Sequence, residues 1–273
     1  MKVILSRKGF DSGNGGYPSP ILPDGTLLSM PIPSSDVETF QDIVYEGVSY
    51  LSILEQLTSN QKFKNMHCHL DPDIRRGVRK AKLPNWKPAF GQFNGAQGRL
   101  RNDDVKVGDL FLFFGWFRET EGDIKKGTLH YKNNSPDLHV IYGYLQIGQM
   151  ISDPETLVKN YPFHPHAAKS RRGIVNKNGT DKNMLYLPSE ELSFDHSKNG
   201  YGVFSFSEKL VLTLPGQTKS IWKNIPALAP DCFIRVAKNC ATNEGYQYNG
   251  IWQEKVSKPN NETVEWAKSL LRD

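Results

Sequence analysis

Two dense apolar runs constrain this chain most. "DLFLFFGWF" spans Asp109 to Phe117, and "HVIYGYLQIGQM" spans His139 to Met150. Aromatic and β-branched residues dominate both, which favours strands over helices. A Val107-Gly108-Asp109 turn precedes the first. Between them lies a polar excursion with Gly122, Gly127, Asn133, Asn134 and Pro136. The pattern predicts two adjacent strands joined by a long loop. Shorter signals surround this pair. Lys2 to Ser6 reads as a β segment, and Tyr201 to Leu214 as a hairpin or two short strands. The second half of Glu38–Leu57 reads as a helix. Thr263 to Leu271 carries apolar residues at helical spacing behind an asparagine-rich start suited to capping. Lys80 to Arg101 reads as a basic loop. Together these predict an α+β fold: one domain over residues 1–273, around a curved, mostly antiparallel sheet with peripheral helices. A barrel-like closure is one form such a sheet could take.

Composition bounds the function. The chain has 273 residues, 38% hydrophobic and 23% charged, enough to bury a substantial core. No apolar run approaches the roughly 20 residues that a membrane-spanning helix needs. The apolar patch before Ser6 is shorter than a signal peptide requires. Cys68, Cys232 and Cys240 form neither a disulfide framework nor a CxxC pair. The expectation is a cytoplasmic protein with no membrane partner. A net charge of +5 is compatible with a phosphate-bearing partner but does not establish one.

Several motifs carry chemistry. "SRKGFDSGNGGYPSPILPDGTLLSMPIP", from Ser6 to Pro33, reads as too polar and too broken for core. Its glycines let a ligand approach the backbone, and a glycine-rich turn after a strand makes a plausible anion nest. Arg7 and Lys8 would supply charge, Asp11 an acceptor and Ser12 a hydroxyl. The spacing matches neither GxGxxG nor the P-loop.

"HCHLDPD" begins at His67. In an extended chain His67, His69, Asp71 and Asp73 share one face. Imidazole and carboxylate together can transfer protons or bind a divalent ion. His69-x-Asp71 has the local spacing of a facial triad, whose third ligand would be a distant histidine that nothing in the sequence picks out. The plainer reading is hydrogen-bonded structural histidines with the aspartates capping a following helix. Further on, Arg99 and Arg101 suit phosphate or a base edge. Most aromatics of "DLFLFFGWF" read as core, and Trp116 is placed to reach a pocket. His164 and His166 sit in a proline-fixed loop at a site mouth, with Lys169, Arg171 and Arg172 close behind.

Taken in order, "SRKGFDSGNGGYPSPILPDGTLLSMPIP", "HCHLDPD", "GAQGRLRNDDVKVGDLFLFFGWFR" and "HVIYGYLQIGQM" resemble the bacterial and phage family called nucleotide modification associated domain 3. The resemblance implies a context of gene systems that make or handle modified nucleobases. It brings forward Arg7, Lys8, Asp11, Ser12, His69, Asp71, Asp73, Arg101 and Trp116, then His164 and His166. Residues 99–150 also resemble PUA-like barrels, which include readers of modified bases.

The expected function is therefore binding and processing of a nucleotide or nucleic-acid base. The reaction would be hydrolysis or transfer at the base or glycosidic bond. Asp11, His69 and Asp71 would be catalytic. Arg7, Lys8, Ser12, Asp73, Arg101, Trp116, His164 and His166 would bind substrate. No cofactor is assigned and no metal is counted among the site groups. The alternatives are a non-catalytic reader of modified bases and an iron-dependent oxygenase using His69 and Asp71.

Overall fold

The computed structural model describes residues 1–236, 244–250 and 253–272. Cys240 falls outside these residues. Strand Leu110–Glu121 is the spine of the molecule. Its first six residues are all buried, because the sheet is covered on both faces. The strand Leu138–Ile151 returns antiparallel beside it, with Phe114 opposite Ile141 and Phe111 opposite Leu145. On the other side the first strand, Val3–Arg7, runs parallel to the spine, Val3 opposite Leu110 and Arg7 opposite Phe114. Glu254–Val256 pairs antiparallel with the outer edge of that first strand. Asn183–Pro188 and then Phe90–Phe93 extend the sheet beyond the return strand. Three short strands branch from this path, and the mixed sheet curls into a half-barrel. The sequence pattern thus holds for the antiparallel pair. The two parallel pairings are additions that no local signal announces.

The sheet core is largely aromatic. Phe90 packs edge-on to Phe111 and Phe113 at 4.8 and 5.1 Å between centroids, and stacks on Tyr186. Each buried ring contributes roughly 2 kcal/mol by removing apolar area from water. The C-terminal helix, Asn261–Leu271, is capped by Asn260, whose side chain accepts from the Thr263 N–H. It buries Ala267, Leu270 and Leu271. Helix Tyr50–Thr58 is capped by Ser49 and buries Tyr50, Leu51, Ile53, Leu54 and Leu57.

Three expectations need correction. The glycine- and proline-rich stretch is not excluded from the core. It buries Phe10, Ile21, Leu22, Leu27, Leu28 and Met30, and Ser19–Ile21 pairs parallel with the spine. Phe10 stacks on Phe63 at 5.5 Å. Gly9 allows the turn that sends it there: its φ is +81°, and a Cβ would lie 2.6 Å from Ser29 Oγ. The basic segment 80–101 holds the strand Phe90–Phe93 and much of the helix Asn94–Asn102. Finally, Tyr201–Leu214 is not a hairpin: Tyr201–Val203 joins the return strand, and a 3-10 turn follows at Glu208–Leu210.

Candidate functional site

Six segments line one cleft of about 260 Å³: Arg7, Lys8, Gly9, Asp11 and Asn14; Ile32 and Ser34; His69 and Asp71; Gly91, Gln92 and Phe93; His166 and Arg171; and Gln253. Its floor is a group of imidazoles around one carboxylate.

His69 ends the short strand His67–His69, which pairs antiparallel with Ile32–Thr39. The register of that pair slips between Ser34 and Thr39. Asp36 lies in the resulting bulge and is buried, and its Oδ2 accepts from His69 Nδ1 at 2.7 Å and from Ser34 Oγ at 2.9 Å. Arg171 grips the same carboxylate with both terminal nitrogens. It also donates to the Pro165 carbonyl at 2.9 Å, so it clamps the loop bearing His166 to the strand bearing Asp36.

His166 sits in a 3-10 turn, Pro165–Ala167, started by His164, whose Nδ1 accepts the His166 backbone N–H. The His166 ring is fixed by Asn183 at the start of the next sheet strand. Asn183 Nδ2 donates to the His166 carbonyl at 2.9 Å, leaving Oδ1 to accept from His166 Nδ1 at 2.7 Å. The Nδ1 atoms of His69 and His166 are therefore both occupied as donors, and each ring turns Nε2 inward.

Asp71 is buried between them. Its Oδ1 accepts the Gly91 N–H at 2.8 Å and faces His164 Nε2 at 3.4 Å. Its Oδ2 faces His69 Nε2 at 3.7 Å and His166 Nε2 at 4.0 Å. Burial opposes ionisation of Asp71, yet the close imidazoles of His164, His69 and His166 hold its pKa well below the usual range. Burial likewise disfavours charge on His69, but Asp36 and Asp71 outweigh it and raise its pKa. For His166 burial wins, and its pKa falls to about 3, so this ring is neutral.

The mouth of the cleft carries charge in pairs. Arg7 lies 3.5 Å from Asp11 Oδ2. Lys8 Nζ donates to Glu254 Oε1 at 3.1 Å and sits over the Phe90 ring. Gln92 and Ser6 donate to the same Glu254 oxygen. With Arg171 and Asp36 included, three cations face four carboxylates: Asp11, Asp36, Asp71 and Glu254.

The predicted site residues divide. Arg7, Lys8, Asp11, His69, Asp71 and His166 meet in the cleft, and His164 stands directly behind Asp71. Asp11 Oδ1 is taken by the N–H groups of Gly13 and Asn14, which makes it a holder of its own turn. Ser12 is exposed and is not a lining residue. Asp73 is buried away from the cleft on Arg79, at 2.6 Å, and no helix follows it to be capped. Arg101 points to the Asp181 carbonyl from its helix. Trp116 lies under Lys219 Nζ, 4.1 Å from its ring centre. Sequence reasoning missed Asp36, Asn183, Gly91, Gln92, Phe93 and Glu254 as site residues. Only the HxH spacing of His164 and His166 and the basic run after it hinted at the second wall.

A family model described as nucleotide modification associated domain 3 matches residues 2–263. The chain belongs to that family. The nucleotide modification associated domain 3 match covers every cleft residue, from Arg7 to Gln253. Its description points to a role in nucleotide modification, and so to contact with nucleotides or nucleic acid. No curated protein and no solved structure matches the chain. No helix among the described residues is long and apolar enough to cross a membrane.

Proposed function

We propose that the protein is an enzyme that processes a nucleotide or nucleic-acid base in this cleft, by hydrolysis or transfer at the base or glycosidic bond. Arg7 and Lys8, with the Asn14 turn, meet phosphate at the mouth. The half-buried Phe93 ring is the stacking surface for a base. His69, Asp71 and His166 on the floor do the chemistry. Asp11 holds Arg7 in place.

The observation that carries this reading is the convergence on the floor: one buried ionised carboxylate among three imidazoles, in a cleft entered past two cations. A reader of modified bases needs an aromatic cage and cations. It does not need a buried carboxylate whose every oxygen faces an imidazole or an N–H. Proton transfer and bond cleavage do need such tuned groups.

The test separates binding from turnover. Fluorescence titration with normal and modified nucleotides and oligonucleotides finds the ligand, and product analysis finds the reaction. Asp71→Asn is expected to abolish turnover while keeping affinity within about threefold. Full turnover by Asp71→Asn, or no saturable binding of any nucleotide or oligonucleotide, would overturn the reading.

A further inference from the structure

We propose that His69, Asp71 and His166 bind one divalent transition-metal ion, through Nε2, a carboxylate oxygen and Nε2. The inference rests on the cleft being the working site, and it deepens that reading by naming the cofactor class.

Three observations lead there. First, the donor atoms of these residues all lie within 4.8 Å of one another, near enough for one ion to reach all three. Second, each donor has its other end tied. His69 Nδ1 donates to Asp36, His166 Nδ1 to Asn183, and Asp71 Oδ1 takes the Gly91 N–H. This is the outer shell that orients metal ligands: carboxylate or amide behind imidazole, N–H behind carboxylate. His166 carries its proton on Nδ1, so its Nε2 lone pair points at the Asp71 carboxylate 4.0 Å away. Two electron-rich atoms face each other with no proton between them. A cation between them resolves the repulsion. Third, behind Asp71 the His164 side chain is fully buried, and its Nε2 makes no well-aligned hydrogen bond. It stands 3.4 Å from Asp71 Oδ1 and braces the carboxylate from the side away from the ion.

Charge agrees. Arg7, Lys8 and Arg171 line the cleft with Asp11 and Asp71, and Asp36 and Glu254 pair with Arg171 and Lys8 from just outside the lining, so with neutral imidazoles this group sums to one negative charge. A divalent ion turns that balance to net positive. Two imidazoles and one carboxylate favour zinc, iron, cobalt or nickel over magnesium or calcium, which prefer oxygen. The ligands line the cleft, so the ion meets whatever enters.

The experiment uses the full chain, stripped with chelator and titrated anaerobically with Co2+, whose visible absorption reports its donor set. One equivalent is expected, displaced by Zn2+ and not by equal Mg2+. His69→Ala and His166→Gln are expected to weaken it at least about 100-fold. His166→Gln keeps the volume beside Gly91, and circular dichroism verifies the fold of both variants. Uptake below a tenth of an equivalent by the folded wild type overturns the proposal, as does undiminished uptake by both variants. Binding of AMP and of the oligonucleotide panel is measured separately, on the stripped and on the Co2+-loaded chain. Co2+ uptake with no binding of any of them to either form leaves the metal site standing and removes the nucleotide; binding without Co2+ uptake does the reverse.

Discussion

Gly91 and His166 are in such close contact that a Cβ built on Gly91 would sit 2.1 Å from the imidazole Cδ2. The same glycine donates its N–H to Asp71 Oδ1 at 2.8 Å. One residue without a side chain thus sets the spacing of two floor groups. Gly91→Ala must push the ring away or shift the strand Phe90–Phe93. The expected result is a loss of Co2+ affinity of about 10- to 100-fold. Co2+ titration beside a thermal melt checks it. Unchanged affinity in a folded variant would mean that the ring does not need its present place.

Asp36 acts on the floor through His69 and, by way of Arg171, through the loop that bears His166. Asp36→Asn keeps an acceptor for the imidazole but removes the charge that Arg171 grips with both nitrogens. The expected outcome is Co2+ binding weakened about tenfold or more, with an altered absorption spectrum. A merely structural role for Asp36 would lower stability and leave the spectrum of the bound ion as it was.

Phe93→Ala tests the stacking surface. Losing one base–aromatic contact costs about 1–3 kcal/mol, roughly a five- to hundredfold drop in nucleotide affinity. Metal uptake should not change. Equal nucleotide affinity before and after would remove Phe93 from the binding surface.

His139, which is not a cleft-lining residue, makes stability depend on pH. It is buried beside Phe114 and accepts the Trp222 indole N–H on Nδ1 at 3.0 Å. Burial, then the charges of Lys219 and Arg7, lowers its pKa to about 3, against an ordinary 6.5. The unfolded chain therefore binds a proton below pH 6.5 that the folded chain refuses until about pH 3. Stability falls with pH across that window by about 1.4 kcal/mol per unit, and the loss levels off below it. His139→Asn keeps an acceptor for the indole and cannot titrate. Urea melts at pH 7.5 and 5.0 should show a stability loss about 2 kcal/mol smaller in the variant than in the wild type. Equal losses would exclude His139 as the cause.

Much of the scaffold was legible because it is written locally. Leu110–Glu121 and Leu138–Ile151 announce themselves by unbroken apolar content, and the last helix by its periodicity and its Asn260 cap. The strand and helix at 90–102 were hidden for equally local reasons. Gly91 interrupts the strand, and Gly95 and Gly98 interrupt a helix whose largest buried apolar side chain is Leu100. The site was half legible. Arg7, Lys8, His69 and Asp71 lie in dense polar motifs. Asp36, Asn183 and Glu254 are single polar residues in unremarkable stretches. They matter because a bulge, a strand start and a far edge strand carry them inward. Such positions follow from tertiary pairing, which no short window of sequence contains.

The pairing of Val3–Arg7 with Glu254–Val256 also governs when the protein can mature during its synthesis. A ribosome that has released the first 250 residues has delivered every floor group. The first strand still has a bare outer edge at that stage, and Lys8 has no Glu254 beside it. Joining partners so far apart in sequence is slow in general. The nascent chain must hold its opening strand in readiness until Glu254–Val256 has been made, and only then does the cleft acquire its finished rim.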